Sequence, residues 1–199
     1  MELIQGKEQK RRLFEIFEQA FAQSPGMNWM LRHRDSSRGK RWIIRLMTNE
    51  GIAKKGAFLT SDNNGAVLFF QVQKRALSPL NILRTIYIFL FITGVKNGFR
   101  ALRYQKMVAA IRPKTGWLGL LVATDQTVPG NVAAFEIKQE MFRIADDHNE
   151  CIYIETTVPR VRLLYKAAGY IEYAELKHPY TDLTIWFFRR DPFTYSRKK

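Results

Sequence analysis

The order of apolar and polar positions divides the chain into alternating helical and extended stretches. Between residues 7 and 23, Leu13, Ile16, Phe17 and Ala20 recur at helical spacing, with Phe14 and Phe21 widening the stripe. Ser24-Pro25-Gly26 ends that pattern. A second helix is predicted over 36–48, burying Trp42, Ile43, Leu46 and Met47. Asp62-Asn63-Asn64-Gly65 is a turn signal between two short apolar runs, 56–60 and 66–72, and predicts a β-hairpin. Pro79 opens a long helical region that breaks near 94–98 and resumes through Arg112, with Tyr104, Met107, Val108 and Ile111 on one face.

Residues 115–124 are apolar at consecutive positions, as a strand covered on both sides requires. After a loop at 125–131, Ala134, Ile137, Met141 and Ile144 mark a helix over 132–148. A buried strand over 151–157 follows, then a short helix over 160–168 stopped by Gly169. Two strands, 170–176 and 181–190, close the chain, joined through His178-Pro179-Tyr180. The strand–helix–strand unit implies a parallel pair flanked by antiparallel strands, an α/β (α+β) fold in one domain over 1–199.

At 46% hydrophobic and 25% charged, the composition supports a packed core and excludes disorder. Cys151 is the only cysteine, which excludes an internal disulfide and predicts a reducing, cytoplasmic setting. Its apolar neighbours make it a small buried residue rather than a nucleophile. The N-terminus is charged and polar through Arg12, unlike a secretory signal. The longest apolar stretch, 85–95, falls short of the roughly 20 residues a membrane-spanning helix needs, and a buried helix is expected there.

The net charge of +14 is unevenly placed: residues 63–124 hold nine Lys and Arg and no Asp or Glu. A solvated basic face is the simplest expectation; nucleic acid, an anionic lipid surface or an acidic protein stay open as partners. His33, His148 and His178 stand apart and are expected at the surface or in turns. No metal-ligand spacing, nucleophile elbow or Walker loop occurs, so the sequence offers no support for metal-assisted hydrolysis or phosphoryl transfer.

Ala145-Asp146, then residues 153–157 (Tyr-Ile-Glu-Thr-Thr), then 164–170 (Leu-Tyr-Lys-Ala-Ala-Gly-Tyr) resemble the signature of the GNAT superfamily of N-acyltransferases, at the spacing that family shows. Ala20-Phe21, Pro25, Trp29-Met30-Leu31 and the stretch 65–70 are similar to the N-terminal half of bacterial members, and Trp117-Leu118 sits where their strand before the cofactor loop begins. The resemblance implies a mixed sheet whose central parallel strands splay apart, at Val122 and Glu155, with helices on both faces and a helical N-terminus. It implies acetyl-CoA as acyl donor, its pantetheine arm along the backbone of Leu121, Val122, Ala123 and Thr124. The pyrophosphate is then expected on Pro129, Gly130, Asn131, Val132, Ala133 and Ala134 at the next helix N-terminus.

Three positions depart from the family pattern. Pro129 lacks an N–H, Val132 replaces a glycine, and Val161 stands where an asparagine helps hold the cofactor. The resemblance makes Tyr165 the general acid for the departing thiolate. Glu155 is then either a base acting through water or a residue holding nearby backbone. Residues 1–62 would shape the acceptor side, for a small-molecule or peptide amine, and 63–199 the cofactor-binding core. The departures keep open a non-catalytic binding or regulatory module, and the charge keeps open a basic binder of nucleic acid or membrane surface using 74–114. The apolar helix around Phe89 packs either internally or against a second copy as a homodimer.

Overall fold

A computed structural model describes residues 1–22, 24–31, 33, 36–74, 79–128 and 132–193. Among the described residues seven strands form one sheet: β1 (Glu2–Leu3), β2 (Ala57–Leu59), β3 (Gly65–Gln71), β4 (Trp117–Thr124), β5 (Ile152–Thr156), β6 (Ile171–Lys177) and β7 (Thr184–Arg190). Their spatial order is β1-β2-β3-β4-β5-β7-β6, and β4–β5 is the parallel pair among antiparallel neighbours. The expected fold class is the one observed. The short β1 is an addition that two residues of sequence could not signal.

Seven α-helices among the described residues accompany the sheet: α1 (Lys7–Phe21), α2 (Pro25–Asn28), α3 (Ser37–Ala53), α4 (Pro79–Tyr87), α5 (Gly94–Ile111), α6 (Val132–Asp147) and α7 (Pro159–Ala167). A π-helical stretch, Ile88–Ile92, joins α4 to α5. The side chain of Gln9 accepts the free N–H groups of Gln5 and Gly6 at the start of α1. Ser36 Oγ accepts from Gly39 N–H at 3.0 Å and caps α3. This helix runs past the expected end at Thr48 to Ala53, and at Gly51 it lies so close to β3 that an added methyl would meet Leu68 at 2.7 Å.

The two faces of the sheet carry separate cores. Leu13, Ile16 and Phe17 of α1 and Ile43 and Ile44 of α3 pack on Ala66, Leu68 and Phe70 of β3 and on Leu118, Leu121 and Ala123 of β4. On the opposite face, Ile137, Met141 and Ala145 of α6 pack on Val67, Phe69, Ile152, Ile154 and Phe188. Alternate residues of β3 therefore serve opposite cores, which explains a run buried from Gly65 to Phe70. The α1–α3 layer does not reach the far strands. There Val108 of α5 covers Ile185 and Phe187 of β7.

Candidate active site

The parallel pair is short. Trp117 pairs with Ile152, Leu118 with Tyr153 and Gly119 with Ile154. Beyond that point β4 continues along β3 as far as the Thr124–Gly65 pair, while β5 continues along β7 to the Thr156–Trp186 pair. Over residues 120–124 no strand among the described residues pairs with the β5-facing edge of β4, and the two strands fork. Parting begins at Leu120 and Glu155, earlier along β4 than the expected Val122.

A bulge accounts for the fork. Leu68 of β3 lies opposite Leu121 and Phe69 opposite Gly119, so Leu120 is one residue too many. Both Leu120 and Leu121 consequently face the α1–α3 core, whereas Val122 returns to the α6 side. An extra residue bends its strand and increases local twist, which turns β4 away from β5. Gly119 sits at the crotch: an added methyl would meet Ile154 Cγ2 at 2.8 Å and Met141 Cε at 3.0 Å.

Glu155 is the first residue of β5 past the crotch, on the face under the N-terminal helices. Arg112, the residue that ends α5, grips it with both ends of its guanidinium: Nε donates to Oε2 at 3.0 Å and Nη2 to Oε1. Burial works against the Arg112 charge, but the Glu155 carboxylate outweighs it and the guanidinium pKa goes up. Both carboxylate oxygens are engaged, so Glu155 is not a free base in this geometry.

Tyr165, on α7, lies on the opposite face. Its ring packs 5.7 Å from Tyr170 and 5.5 Å from Phe188, centroid to centroid. Among the described residues its hydroxyl has no hydrogen-bond partner. Burial, then the Glu155 charge, pushes its pKa up to about 12. Val161, one turn earlier on α7, is half-buried. The fork thus has an ion pair on one flank and an unbonded phenol on the other.

Of the expected cofactor contacts, Leu121 and Ala123 point into the α1–α3 core, and Val122 and Thr124 are half-buried. Ala133 is buried beside Gly65, while Val132 and Ala134 are exposed on the first turn of α6, which carries no acidic residue. Pro129, Gly130 and Asn131 lie outside the described residues.

Asp125, just past β4, was not singled out by any motif. Arg12 of α1 reaches it at 2.5 Å while also bonding Asn63 O and Asn64 Oδ1, and Thr127 donates its hydroxyl at 2.6 Å and its N–H at 2.8 Å. The Thr127 hydrogen bonds, then Arg12, hold the Asp125 carboxyl down at about 2.

Beside the Glu155 flank is a group of rings that the sequence did not bring together. Trp29 ends α2, and a methyl added at Gly26 of that helix would lie 3.8 Å from Thr157 Oγ1, at the end of β5. The Trp29 ring lies 5.5 Å from Tyr104 of α5, 4.4 Å from His178 and 5.8 Å from Tyr180. Burial, then the Glu155 charge, raises the Tyr104 pKa to about 12. His178, expected at the surface or in a turn, is in the β6–β7 turn but is only 5% exposed. Its Nδ1 accepts the Tyr180 N–H at 3.2 Å, and its Nε2 has no hydrogen-bond partner among the described residues. Burial lowers its pKa, favouring the neutral ring. Cys151 is half-buried rather than buried; its thiol donates to Asp191 Oδ1 at 3.3 Å, and burial raises its pKa.

No protein-family model and no curated protein matches the chain. Solved structures share its fold. One, described as histone acetyltransferase HPA2 and related acetyltransferase from Corynebacterium glutamicum, superposes with a TM-score of 0.64 at 18% identity, covering 98% of this chain and 97% of that one. Arylalkylamine N-acetyltransferase 2 from Aedes aegypti gives 0.63 at 11% identity, with 96% and 97% covered. The C-terminal condensation domain of Ebony, in complex with beta-alanyl-dopamine, gives 0.63 at 14% identity, with 96% and 98% covered. The architecture is the GNAT-like one that the signature residues implied.

Proposed function

We propose that the chain is an N-acyltransferase that takes an acetyl group from acetyl-CoA and passes it to an amine, most simply a small-molecule amine. The observation that carries this reading is the unpaired β4 edge at 120–124, opening beside the Tyr165 phenol. Such an edge offers backbone N–H and C=O groups to an extended amide-bearing ligand. The first turn of α6 has no carboxylate to repel an anion. Acetyl-CoA, when bound, supplies a thioester carbonyl activated for attack.

In this reading Leu121, Val122, Ala123 and Thr124 hold the pantetheine arm through their backbone, and one of their N–H groups polarises the carbonyl. Ala133 and Ala134 keep the helix start narrow. Tyr165, protonated at neutral pH, donates its proton to the departing thiolate; the proton that the attacking amine loses leaves to water, and water reprotonates the phenolate. Glu155, fixed by Arg112, positions the acceptor side rather than acting as a base. Residues 1–62, with Tyr104, His178 and Tyr180, form the acceptor side, where the rings of Trp29, Tyr104 and Tyr180 provide apolar walls. Two of the similar folds are named for aromatic amines or their conjugates, which agrees with such walls.

Titration calorimetry with acetyl-CoA and CoA tests this, with turnover measured on arylalkylamines, polyamines and peptide amines. Binding, thermal stabilisation and transfer to one amine class are expected. No heat and no stabilisation with either ligand would refute the reading. Val132 and Val161 favour a second one, a binding module of the same fold, because Val132 adds bulk where the family has glycine and Val161 cannot make the asparagine's hydrogen bond. Tight CoA binding with no transfer to any amine would select it.

A further inference from the structure

Ten of the nineteen large apolar residues that stand exposed among the described residues fall between positions 80 and 102. Leu83 of α4 is 64% exposed, Phe91 of the π-helical stretch 63% and Phe99 of α5 63%. The rest of α5 explains why they face outward. Its inward side is already occupied: Gly98 is buried against the Phe89 ring, Asn97 bonds Leu31 O at 3.3 Å, and Val108 packs on β7. An added methyl at Gly98 would lie 2.5 Å from Phe89, so this close approach uses one side of the helix and leaves the other uncovered.

The uncovered side has an ordered composition. Val95, Phe99 and Leu102 form one row at helical spacing, and Lys96, Arg100 and Arg103 form the row beside it, with Lys106 continuing the apolar row. The ring of Phe99 meets Phe89 edge-on at 5.4 Å, which joins the α5 row to the π-helical stretch; Tyr87, 5.2 Å from Phe91, lies on the other side of that stretch and also packs 5.0 Å from Trp42 of α3. No carboxylate occurs anywhere from residue 63 to 124. An apolar surface of this extent is seldom left bare on a soluble chain.

We infer that the α4–α5 face docks on an anionic phospholipid bilayer, with Leu83, Phe91 and Phe99 entering the acyl boundary and Lys96, Arg103 and Lys106 at the headgroups. Charge selects this occupant. In a two-fold dimer the face would meet itself and bring like-charged rows together with no acid among them. A protein interface core is depleted of lysine, whereas an interfacial helix places Lys and Arg directly beside its apolar row. No helix among the described residues is long and apolar enough to cross a membrane, so the contact is peripheral. The inference is independent of acyl transfer.

The test is co-sedimentation of the full chain with vesicles of phosphatidylcholine alone and of equal parts phosphatidylcholine and phosphatidylglycerol. Preference for the anionic vesicles by at least about tenfold is expected. Two variants are compared, each checked by circular dichroism: Leu83→Ser with Phe91→Ser, and Lys96→Glu with Arg103→Glu and Lys106→Glu. Arg100 is left in place because it lies over the Tyr180 ring. Loss of vesicle binding in both supports the inference, the charge variant losing on the order of a hundredfold. Four outcomes overturn it: no anionic preference; full binding by the serine variant; light scattering that shows a dimer abolished by the serine variant; or equal retention on an oligonucleotide or polyglutamate.

Discussion

The two flanks of the fork solve different problems with opposite chemistry. Under the N-terminal helices, charges are paired: Arg112 holds Glu155, and Arg12 holds Asp125 at the end of β4. On the other face, Tyr165 stands among rings with its hydroxyl unbonded. Paired charges fix geometry, because a carboxylate held at both oxygens cannot rotate away. A half-buried phenol with no partner among the described residues does nothing for the fold that phenylalanine would not do. On the proposed reading, one flank holds position and the other supplies the proton.

Four substitutions sharpen or break that contrast. Tyr165→Phe keeps the ring contacts and removes the proton. Turnover should fall on the order of a hundredfold with CoA affinity and stability unchanged, as steady-state kinetics and calorimetry would show. Unaltered turnover would remove the phenol from the chemistry. Arg112→Ala should act the other way, costing about 2 kcal/mol of stability by leaving Glu155 half-buried and unpaired. A melting temperature lower by roughly 4–8 °C is the expected reading, and no change would mean the pair is ornamental.

Asp125→Asn is a subtler probe, because its effect is confined to acid. The folded pKa of about 2 lies below the ordinary aspartate value of 3.8, so between them the unfolded chain binds more protons. The stabilisation is therefore complete above about pH 4 and is lost as pH falls towards 2. Denaturant titrations across that window should show a shallower acid slope in the variant. The smallest effect is expected at His178. Burial lowers its pKa, so stability should begin to fall as pH drops through about 6.5. His178→Phe should flatten that step, measured by melting temperature between about pH 7 and 5.

Much of the fold could be read before any coordinates. The turn residues Asp62 to Gly65, the periodic stripe of α6 and the central parallel pair sit where their patterns put them. The fork was expected from the signature residues, but its cause was not visible. Residues 117–124 are apolar on both sides, so no alternation exists against which the doubled face at Leu120 and Leu121 could register. Partners separated by tens of residues were also illegible: Arg112 with Glu155, Arg12 with Asp125, and His178 with Trp29 meet only through the fold. The exposure of Ile86, Leu90 and Phe91 escaped for a related reason, since a stretch apolar all round, as 85–95 is, does not say which side is covered.

The bulge at Leu120 makes the opening between strands depend on a number of residues, not on their kind. Exchanging Leu120 for methionine or valine leaves that number intact. A deletion in frame at this codon would bring β3 and β4 into unbroken register with every remaining residue of β4 on its present face, and let β5 run on alongside. Such a deletion would change one residue in 199 and erase the cleft.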